Sequence, residues 1–80
     1  MRTVRVRNRL VPGTLARLLT AVAERGGSIG EIRLIREGTK AIVRDITIYA
    51  DTVEQVEAII AAMRANPGSQ VLEVRDEVLE

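Results

Sequence analysis

Val11-Pro12-Gly13-Thr14-Leu15 is where an alternating strand pattern gives way to a helical one, and every other element can be placed outward from it. Proline holds φ near the helical value and lacks the N–H that a first-turn residue cannot use, so Pro12 is expected just inside a helix start. Gly13 brings no side chain. A helix that opens on a bare glycine presents unsatisfied backbone N–H groups at the positive end of its dipole, where a small anion or carboxylate can approach closely. The plainer reading of Pro12-Gly13 is a tight strand-to-helix corner.

Upstream, Thr3 to Asn8 alternates, with Val4 and Val6 on one face and Thr3, Arg5 and Arg7 on the other, the period of a half-buried strand. Downstream, Leu15, Leu18, Leu19 and Val22 recur at helical spacing, which predicts an amphipathic helix over Thr14 to Arg25. Gly26-Gly27 closes it, one glycine in the left-handed cap position. Ile29 to Glu37 reads as a second strand with Ile32 and Leu34 inward, and Ile35 falls on the other face with Glu31 and Arg33. Glu37-Gly38-Thr39-Lys40 supplies a hairpin turn into a third strand, Ala41 to Ala50, with Ile42, Ile46 and Ile48 on one face. Arg44 breaks that face. An unpaired buried guanidinium is costly, so it is expected to reach a sheet end or an acid such as Asp76.

Asp51 with Glu54, or Thr52 with Gln55, makes a capping box for a second helix whose stripe is Val53, Val56, Ile59, Ile60 and Met63. Asn66-Pro67-Gly68 stops that helix with a left-handed cap candidate and a proline. Gln70 to Val78 gives a fourth strand with Leu72, Val74 and Val78 inward. The order strand, helix, strand, strand, helix, strand folds most economically as an α+β, ferredoxin-like βαββαβ sandwich. That is a four-stranded antiparallel sheet, order 4-1-3-2, with two helices on one face. The helix-free face then carries Thr3, Arg5, Arg7, Asp45, Thr47, Tyr49, Glu73 and Arg75, a mixed charged surface expected to stay wet.

Composition narrows the function classes. Eighty residues make one domain, 1–80, and a chain of that length buries only about 60–65 % of its unfolded surface. Tyr49 is the single aromatic, so no ring is available to stack a base or a flavin, and no cofactor is expected. Twelve basic residues, eleven of them Arg, stand against eleven acidic ones and are interleaved with them, which argues against nucleic acid. With no Cys and no His, disulfides, thiolate or imidazole catalysis and the usual zinc sites are excluded, and no catalytic or metal-ligating set is found. The N-terminus alternates instead of forming a charged start and apolar run, and no apolar run approaches a membrane span. A cytoplasmic protein without membrane contact is expected.

Val11 to Leu19, Glu24 to Ile32, Val43 to Ile48 and Val71 to Asp76 together resemble an ACT domain, over nearly the whole chain. The double glycine, Arg44-Asp45-Ile46 and Arg75-Asp76 are more narrowly similar to the ACT domain found ahead of the catalytic part of some bacterial malic enzymes. The resemblance implies a regulatory module that binds an amino acid or similar small effector between paired domains and controls an attached or partner enzyme. It places the ligand contacts on Leu10, Val11, Pro12, Gly13 and Thr14 and on Ser28, Ile29 and Gly30. Leu10 stands where many members carry Asp or Asn, and Ser28 where an Asn is frequent; both departures remove polar groups from the expected site.

The alternative is a purely structural dimerisation module without a ligand. Either way a homodimer is expected through the second strand, an edge with Ile35 turned outward, and the first helix, whose Ala16, Thr20 and Ala21 would let another helix approach. The chain is not expected to be an enzyme in its own right.

Overall fold

The computed structural model describes residues 1–76. Its elements are β1 (Arg2–Arg9), α1 (Thr14–Glu24), β2 (Ser28–Glu37), β3 (Ala41–Tyr49), α2 (Val53–Ala65) and β4 (Ser69–Asp76). The sheet runs β2-β3-β1-β4 with every neighbouring pair antiparallel, which is the expected 4-1-3-2 order read from the other edge. Both helices cover one face. Val4, Val6, Ile46 and Ile48 from the central strands meet Leu18 and Val22 of α1 and Ile59 and Met63 of α2, all fully buried. The helical spacing of those aliphatic residues and the period of two along β1 and β3 bring them to one layer.

Local chemistry sets the element ends. In α1, Gly26 takes a left-handed φ of 78°, the Gly26 N–H bonds to the Ala23 carbonyl and the Gly27 N–H to that of Val22, so the chain reverses where the double glycine predicted. A Cβ on Gly27 would lie 2.7 Å from Ile59 and 2.8 Å from Val22, so its bareness is a packing requirement. At the start of α2 the Thr52–Gln55 box is the one used: the Gln55 N–H donates to the Thr52 hydroxyl, and the Gln55 side chain accepts from the Asp51 N–H.

Several expectations are corrected. Gly68, with φ 81°, carries the left-handed turn after α2, whereas Asn66 is extended as a residue before proline must be. Val53 is 57 % exposed, because it sits at the open end of its helix. Leu72 does not face the core. A bulge in β4, where Glu73 faces Arg5 but Val71 faces Val6, shifts the pairing by one residue and puts Val71 and Val74 inward. Val78 lies outside the described residues. Arg44 does not reach Asp76, which pairs with Arg2 instead.

The helix-free face is also drier than expected at its centre. Asp45 is only 3 % exposed, covered by the Arg5 and Arg75 side chains that bond it. Arg5 donates two hydrogen bonds to its carboxylate, at 2.9 and 3.1 Å, and Arg75 a third at 2.7 Å. This bidentate arrangement crosses from β1 and β4 to β3 and so ties three strands. The Arg5 hydrogen bond, opposed by burial and reinforced by Arg75, holds the Asp45 carboxyl below its ordinary value of 3.8.

A depressed folded-state pKa means that the unfolded chain binds more protons in this range. The contribution of Asp45 to stability is therefore complete above its ordinary value and is lost as the pH falls through the lowered one. Urea unfolding of Asp45→Asn near neutral pH should show a loss of about 2 kcal/mol and a flatter acid limb than the parent. An unchanged acid limb would mean that the Arg5–Asp45–Arg75 cluster is not coupled to folding.

Candidate functional site

Gly13 is the N-cap of α1, with φ 86° and ψ −6°, and it offers no side-chain cap. Pro12 thus precedes the cap and is not the first helical residue, because the left-handed glycine turns the chain one step later than the dipeptide suggests. The turn is held from behind. The Leu10 N–H bonds to the Lys40 carbonyl, the Arg9 N–H to that of Gly68, and both the N–H and the hydroxyl of Thr14 to that of Val11. Thr14 is buried. The Asn66 side-chain amide donates to its carbonyl at 3.4 Å and to the Ser69 hydroxyl at 2.7 Å, and Asn8 donates to the same hydroxyl at 2.8 Å.

These bonds leave the front of the turn unsatisfied. Among the described residues, the N–H groups of Leu15 and Ala16 make no bond to a residue preceding the helix. They belong to the first turn, where the helix supplies no partner and the dipole is positive. A hollow of about 360 Å³ lies there, lined by the chain from Asn8 to Ala16 and by Arg44. Leu10 and Val11 are half exposed and give it an apolar wall.

Arg44 enters from β3. It stands opposite Val6 on β1 and Leu34 on β2, on the helix-side face, and donates to the side-chain amide oxygen Oδ1 of Asn8 at 3.4 Å. No acid pairs with it among the described residues. The hollow therefore combines a guanidinium, two unsatisfied amides and an apolar wall, a set suited to a carboxylate attached to a small apolar body.

The expected residues divide into two groups. Leu10, Val11, Pro12, Gly13 and Thr14 come together at the hollow. Ser28, Ile29 and Gly30 do not. They open β2 opposite Tyr49 and Ile48, at the Arg2 end of the sheet, while the hollow adjoins the Arg9 end. Gly30 also has a structural reason to be bare, since a Cβ there would lie 2.5 Å from the Tyr49 ring. Asn8 and Arg44 are the site residues that motif spacing alone does not pick out; a charge interrupting the apolar face of β3 was the available signal.

No family model matches the chain. Among solved structures, the ACT domain of GTP pyrophosphokinase from Chlorobium tepidum superposes with a TM-score of 0.69 at 14 % identity, covering 92 % of each chain. The chain has the fold of an ACT domain. Prephenate dehydratase from Arthrobacter aurescens, solved in complex with L-Phe, matches at a TM-score of 0.62 and 20 % identity over 91 % of this chain and 26 % of that one. The C-terminal domain of MgtC from Mycobacterium tuberculosis gives 0.61 at 21 % identity, over 92 % and 81 %. In sequence, the chain is 38 % identical over 80 residues to NAD-dependent malic enzyme 1 of Bacillus subtilis, and it spans 18 % of that protein's length. The ACT fold and the sequence likeness to a malic enzyme agree with the resemblance read from the motifs.

The turn can be tested on its own. Gly13→Val forces a β-branched residue into a left-handed conformation and should cost about 1–2 kcal/mol, whereas Gly13→Asn, which tolerates that conformation, should cost less than half as much. Equal losses in denaturant titrations would show that the backbone conformation is not the constraint.

Proposed function

We propose that this chain is a regulatory ACT domain, spanning 1–80 and not itself catalytic, that binds a small carboxylate-bearing effector of the amino-acid type at the Leu10–Thr14 turn. The observation that carries the reading is the pairing of unsatisfied helix-start amides with Arg44, a cation that no acid among the described residues neutralises, across a hollow with an apolar wall. In this reading the effector's carboxylate lies between the Leu15 and Ala16 amides and the Arg44 guanidinium, with its side chain against Leu10 and Val11. The likeness to a malic enzyme supports a metabolic enzyme, attached or separate and in the cytoplasm, as what the domain controls.

A second copy completes this site in the proposal. β2 is an edge strand of ten residues, exposed from Glu31 to Glu37, with Ile32 41 % and Leu34 56 % exposed. Ile32 and Leu34 give this edge apolar groups that a second copy would cover, between the bulges at Ile29–Ile32 and Leu34–Arg36. A two-fold antiparallel pairing of β2 with its copy, centred near Ile32 and Arg33, lays the Ser28 end of one strand against the Glu37 end of the other. It would thus carry Ser28, Ile29 and Gly30 of the second copy toward the end of the sheet where Arg44 and the turn lie. The exposed Ala16 and Thr20 of α1 allow the helices to approach in the same arrangement.

Thermal shift against a panel of L-amino acids, with mass by light scattering, tests both parts. The chain should be a dimer at high micromolar concentration, at least one amino acid should raise Tm, and Arg44→Met should abolish that rise without lowering the ligand-free Tm. Ile32→Lys should weaken both the dimer and the response. A dimer with no response to any effector would favour the purely structural module, and a monomer unaffected by Ile32→Lys would remove the shared site.

A further inference from the structure

The helix-free face carries a second concavity, of about 480 Å³, remote from the core layer. Its floor is set by register. Arg7 on β1 and Arg36 on β2 both stand opposite Val43 on β3, so one row across the sheet reads cation, aliphatic, cation. Lys40, from the β2–β3 turn, lines the concavity on its strand-end side. Among the described residues none of these three cations makes an ion pair. The acids of this face are engaged elsewhere, Asp45 and Glu73 by Arg5 one row away and Glu31 by Arg33. Asp76 stands opposite Arg2, at the far end of β1.

Two bulges shape the walls. In β4 the register slips between Arg5 and Val6 and leaves Leu72 without a partner; in β2 it slips between Leu34 and Arg36 and leaves Ile35 without one. Each bulge turns a large aliphatic residue onto the open face, and both line the same concavity, Leu72 46 % and Ile35 39 % exposed. Bulges bend a strand and re-aim a side chain. They fall on both outer strands at adjacent levels of the sheet and rim with aliphatic groups three cations that make no ion pair among the described residues.

We propose that this concavity is a binding site for a small organic anion that carries at least two negative charges on an aliphatic body. The charge requirement follows from Arg7, Arg36 and Lys40, which lose mutual repulsion when a dianion sits among them. The body follows from Ile35, Val43 and Leu72, and its aliphatic character from the absence of any aromatic ring in the lining. The volume suits a small molecule. The site shares no lining residue with the Leu10–Thr14 hollow, and the strand pairing proposed at the β2 edge would extend the sheet without covering this face. A phosphate and a dicarboxylate share the head-group chemistry, and the probes below distinguish them.

Calorimetric titration of the 80-residue chain at low ionic strength with n-hexyl phosphate and n-hexylmalonate tests the proposal. At least one should bind, about tenfold or more tighter than inorganic phosphate, malonate or 1-hexanol, since each of these lacks half of the match. Arg36→Gln with Lys40→Gln should weaken that binding about tenfold or more, and Leu72→Ser should reduce the advantage of the hexyl chain over the bare head group. Arg64→Gln, which removes a charge from the helix layer, should leave it unchanged. Methyl resonances of Ile35, Val43 and Leu72 should move on titration. Binding of neither probe, equal affinity for the bare anions, or no loss in the double variant with circular dichroism unchanged would overturn the proposal.

Discussion

The left-handed backbone at Gly13 is the constraint on which the site depends. It lets β1 stop and α1 start within a few residues, and it does so without a capping side chain, so the first-turn amides stay available. Glycine adopts this conformation without strain, and its surroundings select it over the alternatives. Here they do so through a largely buried polar set in which Asn8 and Asn66 both donate to the Ser69 hydroxyl, Asn66 also donates to the Thr14 carbonyl, and the Gly68 and Lys40 carbonyls accept from the Arg9 and Leu10 N–H groups. No buried side-chain polar atom is left unpaired among the described residues. The turn is thereby fixed to the α2–β4 junction and to the β2–β3 hairpin at once, two parts of the chain distant from it in sequence.

Charge is distributed unevenly over this frame. On the open face Asp45 is saturated by Arg5 and Arg75 and serves the sheet. Arg44, the preceding residue, points to the opposite face, where among the described residues its side chain bonds the Asn8 side-chain amide oxygen and no acid. Adjacent positions on one strand therefore hold a neutralised ion pair on one side and an unneutralised cation on the other. A cation kept beside unsatisfied amides contributes little to folding, and it gives an anionic ligand a reason to bind there. Among the described residues no helix is long and apolar enough to cross a membrane, and no group of three or more acidic side chains is placed to hold a metal ion.

Much of this was legible in the sequence, for physical reasons that also explain what was not. Aliphatic residues at periods of two and 3.6, with glycine and proline between them, specify the elements and their order, because alternative registers would expose Val4, Val6, Ile46 and Ile48. Leu72 escaped because a bulge inserts one residue and exchanges the faces beyond it, and nothing in Val71-Leu72-Glu73 marks where the slip occurs. The turn at Leu10–Thr14 was legible from Pro12-Gly13, but its partners were not. Asn8 and Arg44 join it through strand register, and Ser28–Gly30 lie at the other end of the sheet in a single copy. The burial of Asp45 was hidden because its cover comes from two arginines that sequence reading places in solvent.

The most direct measurement is a two-dimensional amide spectrum of the 15N-labelled chain, assigned through residues 10–16 and titrated with each common L-amino acid. The expected result is that an effector which binds moves the Leu15 and Ala16 amides and the Arg44 Nε resonance together, at one affinity, and more weakly as the protein is diluted below its dimer range. An effector that binds while those three groups remain still would contradict a carboxylate site at the Gly13 turn.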